Sequence, residues 1–176
     1  MDKFYRFEVK DKIKLIKDLE QLAFKESDRT YHSNVIFDNE KKDVASAGGR
    51  IRLRIAGIDD KKINVQGEEK HKVDFQEAEN LIEESLEEVG LEPTDGHEFY
   101  ETKWYLDDTS IALDEFPFAD FVEINGKEDD VEMLVKKLGM NIDKHLIDTP
   151  DDLFNEWREK KGLPFKAYMR FADYNK

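Results

Sequence analysis

Residues 50 to 55 read Arg-Ile-Arg-Leu-Arg-Ile. The strict alternation puts Arg50, Arg52 and Arg54 on one face of an extended strand and Ile51, Leu53 and Ile55 on the other. Like charges spaced about 7 Å apart along a strand repel one another, so the row needs a reason. One is a solvated cationic edge that discourages pairing with another chain. The other is chemical: a row of planar, bidentate donors suits phosphate oxygens. The chain carries a formal net charge of -14. A general affinity for nucleic acid or anionic membrane is therefore not expected, and any anionic ligand must be held by local cations such as these.

The second stretch of interest is 103 to 126, KWYLDDTSIALDEFPFADFVEING. It reads as three short strands. Trp104 and Leu106 alternate with Lys103 and Tyr105, Ile111 and Leu113 with Ala112 and Asp114, and Val122 and Ile124 with Glu123 and Asn125. Asp107-Asp108 and Pro117 supply the breaks. Each strand has one apolar face and one polar or small face. The polar face looks either at water or into a barrel holding a charged ligand.

The elements that would carry these residues follow from periodicity. Strands are expected at 4–10, 33–38, 50–55, 62–67 and 72–77, besides the three just described. Helical spacing of Ile13, Ile16, Leu19 and Leu22 predicts a helix from an Asp11 cap to about Glu26. Leu81, Ile82, Leu86 and Val89 predict a second helix over 76–89, stopped by Gly90. Val131, Met133, Leu134 and Leu138 predict a third, ending at Gly139. Thr149-Pro150 opens a fourth, with Leu153, Phe154 and Trp157 on its apolar side. Pro93, Asp95 and Gly96 read as a loop, and the aromatic tail KAYMRFADYNK as a segment packing back on the body.

The order strand, helix, three strands occurs twice, over 4–69 and 71–126. Eight half-polar strands with helices to cover their apolar sides give an α+β fold: an eight-stranded antiparallel β-barrel with helices outside and a charged interior. At 176 residues the chain fits a single domain, 1–176, with about 141–176 as a helical C-terminal extension. The chain has no Cys, so disulfides and thiolate zinc sites are excluded. With no apolar leader or long apolar run, a cytoplasmic, soluble protein is expected.

The RIRLR strand after a Gly-rich loop, ALDEFPFADFVEING followed by an acidic amphipathic helix, and the tail DTPDDLFNEWREKKGLP resemble the CYTH superfamily. These are the triphosphate tunnel metalloenzymes, and the likeness is to the class IV adenylyl cyclase branch. The resemblance implies a triphosphate or nucleotide ligand bound with Mg²⁺ or Mn²⁺, and cyclase or triphosphatase chemistry. It implies Glu8 and Lys10 as catalytic residues. Lys10, Arg50, Arg52, Arg54, Lys72 and Lys103 would bind phosphates, and Glu8, Asp114 and Glu123 metal. The partners expected are that ligand and at most a second copy of the chain, as monomer or homodimer, without nucleic acid or membrane.

The sequence also departs from the family pattern. Where the family opens Glu-x-Glu-x-Lys, this chain has Arg6-Phe7-Glu8-Val9-Lys10. Gln66 stands for a Lys, Lys72-Val73-Asp74-Phe75-Gln76 for Arg-x-Glu-x-Glu, Glu101 for an Arg and Asn125 for a Glu. Seven inward cations would then face five inward anions. Such an interior could neutralise itself with internal ion pairs, which leaves a catalytically degenerate binding or interaction module as the alternative. The histidines His32, His71, His97 and His145 are scattered without ligand spacing. Asp151-Asp152 reads as a favourable charge in a first helical turn. Trp157 reads as core.

Overall fold

The computed structural model describes residues 2–49, 51–58, 62–63 and 75–174. Period-two alternation becomes one sheet built from β1 (Asp2–Glu8), β2 (Lys25–Glu26), β3 (Thr30–Asp38), β4 (Ile51–Ile58), β5 (Lys62–Ile63), β6 (Glu92–Leu106), β7 (Thr109–Glu115) and β8 (Asp120–Lys127), with a short β9 (Tyr168–Met169) added late in the chain. The order is β1-β8-β7-β6-β3-β4-β5, with β2 and β9 both paired to β6. The first eight pair antiparallel, and only β9 runs parallel to its neighbour. The fold is thus α+β: eight antiparallel strands in one sheet, covered by helices. Of the expected strands, 64–67 and 72–74 lie outside the described residues, as do Arg50 and Lys72, while 75–77, expected as the end of the 72–77 strand, is instead the start of the helix α3 (Phe75–Glu88), whose amphipathic pattern begins there.

One face of the sheet is covered by α1 (Lys12–Gln21) and α4 (Glu128–Lys137). Leu15 and Leu19 of α1 and Val131, Leu134 and Val135 of α4 pack on Phe7, Trp104, Ile111, Leu113, Val122 and Ile124, all from alternate strand positions. The Asp11 side chain accepts from the Lys14 backbone N–H at 2.9 Å and so caps α1. The helix ends earlier than its apolar spacing predicts, because Ala23 turns left-handed at φ 60° and Lys25–Glu26 then pair with β6. Ile13, expected in the stripe, is 68% exposed; Leu15 takes the buried place. Leu86 of α3 (Phe75–Glu88) joins Val35 and Phe37 on the same side of the sheet.

The largest departure from expectation is β6. Pro93, Asp95 and Gly96 are strand, not loop. Pro93 sits beside the register irregularity between Ile36 and Phe37, where a missing N–H is tolerated. Gly96 lets two other segments come close. A Cβ there would lie 2.6 Å from the Asn34 carbonyl oxygen and 3.1 Å from the Tyr168 ring. Gly96→Ala is therefore expected to cost about 1–3 kcal/mol, read as a lower urea midpoint, since one obstacle is backbone.

The opposite sheet face is polar, and at one end α5 (Pro150–Lys160) lies on it. Thr149 and Asp152 form a capping box with Pro150 at the first position, as the sequence indicates. Phe154 and Trp157 pack with Phe99, Phe116, Phe121 and Met169. By strand register Phe99 and Phe121 belong to the polar face, so the helix covers that face where aromatic residues replace charges. The tail does return to the body, as β9 beside Gly96 and His97.

Candidate functional site

Antiparallel register builds the polar face as rungs of side chains from successive strands. One rung is Arg6, Glu123, Ala112 and Lys103; the next is Glu8, Phe121, Asp114, Glu101 and Thr30. A third holds His97, Asn34 and Arg54, and a fourth Asp95, Ile36 and Arg52. Six of the described residues predicted as site residues, Glu8, Arg52, Arg54, Lys103, Asp114 and Glu123, therefore share one face. Lys10 follows the end of β1 and contacts Glu8.

The carboxylate end is internally paired. Arg6 holds Glu123 through Nε at 2.7 Å and Nη2 at 2.5 Å, and donates from Nη1 to the Asp148 carbonyl at 2.9 Å. Lys10 is bonded to Glu8. Lys103 Nζ lies 2.7 Å from Glu101, and His32 Nε2 approaches the same oxygen to 3.4 Å. Burial pushes Glu101 up, but the nearby His32 and Lys103 outweigh it and hold its carboxyl below the usual range. Burial likewise pulls Lys103 down, and its contact with Glu101 outweighs that and raises it.

Asp114 is different. It is 8% exposed, and its Oδ1 meets no hydrogen-bond donor. Burial first, then the negative charges of Glu123 and Glu101, push its carboxyl up to about 8. It is a largely neutral acid at pH 7, set between two anions that already have cations of their own.

The Mg²⁺ or Mn²⁺ that the resemblance implies needs converging, ionised oxygens. The buried Phe121 ring side occupies the register position between Glu8 and Asp114. Glu123 is engaged by Arg6, and Glu8 by Lys10. Among the described residues no three acidic or histidine side chains converge as a ligand set. Glu8, Asp114 and Glu123 in this arrangement do not fit a shared ion.

The other end of the face has the opposite character. Arg52 and Arg54 are exposed, and neither is ion-paired with a carboxylate among the described residues. Arg54 Nε donates to Asn34 Oδ1 at 2.9 Å, which orients the guanidinium. With Asn34, His97, Asp95 and Asp151 the two arginines line a cavity of about 300 Å³. Asn34, His97 and Asp151 were not among the predicted site residues. Asn34 was legible only as a polar position in an expected strand, and the part played by His97 appears once β6 is seen to extend back to residue 92.

The sequence matches the CYTH domain family over residues 4–163, so the chain belongs to the CYTH family. No curated protein sequence matches it. Among solved structures, PH1012 protein from Pyrococcus horikoshii superposes with a TM-score of 0.55 at 16% identity, covering 87% of this chain and 99% of that one. A candidate adenylate cyclase from Vibrio parahaemolyticus gives 0.54 at 11% identity, with 88% and 97% covered. The Hippeastrum adenylyl cyclase candidate HpAC1, described as having a dominant triphosphatase activity, gives 0.51 at 13% identity, with 97% and 100% covered. These likenesses fit the tunnel fold to the open order of strands seen here. No described helix is long and apolar enough to cross a membrane.

Proposed function

We propose that this CYTH protein binds the polyphosphate of a triphosphate or nucleoside triphosphate at the Arg52/Arg54 end of its polar face, and that it acts as a binding module. The observation that carries this reading is the division of the cations. Arg6 and Lys103 are each paired with a partly buried carboxylate and Lys10 with the exposed Glu8, whereas Arg52 and Arg54 are free of a carboxylate among the described residues and line a cavity. Guanidinium groups in that setting suit bidentate contact with phosphate oxygens. Asn34 and His97 complete the polar lining. Arg50 and Lys72, also expected from the family resemblance to bind phosphate, lie outside the described residues.

A second reading, a cyclase- or triphosphatase-like enzyme, has the uncovered Oδ1 of Asp114 in its favour. A buried oxygen without a donor is costly to leave so, and a cation would relieve it. That reading needs Glu123 to leave Arg6, Glu8 to leave Lys10, and Asp114 to lose its proton. The two separate in one assay. ATP and inorganic triphosphate are incubated with the protein and Mg²⁺ or Mn²⁺, and phosphate and pyrophosphate release are followed. The binding-module reading expects bound ligand and neither product; steady release of either overturns it in favour of the enzyme.

A further inference from the structure

Asp151, in the first turn of α5, faces the same cavity as Arg52 and Arg54. Its Oδ1 lies 2.9 Å from His97 Nδ1, which donates to it when that nitrogen carries the proton. Asp151 is thus an anion from the C-terminal segment, held by a nitrogen donor of the rung that also carries Asn34 and Arg54. The helix it belongs to is fixed independently, by Phe154 and Trp157 in the aromatic cluster and by its own capping box. The Asp151–His97 contact is not needed to hold α5 in place.

We infer that Asp151 is a built-in competitor of the ligand: its carboxylate occupies His97 in place of a phosphate and sets the affinity of the Arg52/Arg54 cavity. The inference rests on the polyphosphate reading above and names what regulates that site. A phosphate entering the cavity meets two guanidiniums that attract it and two carboxylates, Asp95 and Asp151, that repel it. It gains the His97 donor only when Asp151 gives it up. Asp95 lines the cavity too, but on the framework strand β6; Asp151 alone brings its charge from the C-terminal helix.

The test is titration of inorganic triphosphate into the wild-type protein, Asp151→Asn and Asp151→Ser, with Glu159→Gln as a control that removes one exposed charge from the same helix. Urea midpoints verify that each variant folds. The expected result is affinity tighter by on the order of three- to tenfold in both Asp151 variants, with less than about a twofold change in the control. The gain should shrink as salt is raised, which a merely structural effect would not do. Equal or weaker affinity in the Asp151 variants, beside measurable wild-type binding, overturns this inference alone. No binding by any of the chains overturns the polyphosphate reading and this inference together.

Discussion

Arg52→Ala with Arg54→Ala is expected to lower inorganic triphosphate affinity by roughly 10²- to 10⁴-fold. Hydrogen bonds to charged groups contribute about 1.5–3 kcal/mol each, so losing both arginines costs about 3–6 kcal/mol of binding. The fold should barely notice, because both side chains are exposed and neither is ion-paired with a carboxylate among the described residues. A change within about 0.5 kcal/mol of unfolding free energy is expected. Lysine at both positions should recover only part of the affinity, since a point charge lacks the planar fork. Unchanged affinity in the alanine variant would mean that the row is the solvated cationic edge of β4 and not a ligand site.

Asp114→Asn is expected to change how stability depends on pH. In the folded chain the Asp114 carboxyl keeps its proton up to about 8, because burial and the charges of Glu123 and Glu101 disfavour ionisation. In the unfolded chain it releases the proton near the ordinary value of 3.8. Between those values the folded state binds the extra proton, so the wild-type contribution is full at low pH and is lost as pH rises through the folded pKa. The slope from this one group is about 1.4 kcal/mol per pH unit inside the window. Asparagine keeps the shape and has no proton to lose. Urea unfolding at several pH values should therefore show the variant gaining on the wild type steadily from about pH 5 to 7.5. A constant difference would show that Asp114 is ionised in the folded protein, as the enzyme reading needs.

What could be read from sequence divides by range. Alternation in Arg52-Leu53-Arg54 and in Val122-Glu123-Ile124 is a local signal, and β4 and β8 carry it into the structure unchanged. The Thr149-Pro150 opening of α5 is also local, and its capping box follows. The length of β6 is not local: Pro93 and Gly96 look like loop residues until a strand irregularity and the close pass of β9 explain them. The state of Asp114 depends on Glu101 and Glu123, which arrive from the two strands flanking it. The partner of Arg6 is 117 residues away in the chain. Internal pairing was legible as a possibility from the count of inward charges, but not which cations would remain free. The aromatic residues of α5 were legible as core, and only the register of Phe99 and Phe121 reveals that this core lies on the polar face.

The division of cations also explains why the two ends of the face should respond differently to metal. At the carboxylate end an incoming ion competes with Arg6 for Glu123, with Lys10 for Glu8 and with the Asp114 proton. At the Arg52/Arg54 end neither arginine has a carboxylate to give up among the described residues, and the contact exchanged is the one between Asp151 and His97. The measurement that tests the account most directly is calorimetric titration of inorganic triphosphate into the protein with and without Mn²⁺. The account predicts binding that persists without metal and changes little when Mn²⁺ is added. No heat under either condition, or binding that requires Mn²⁺, would contradict it.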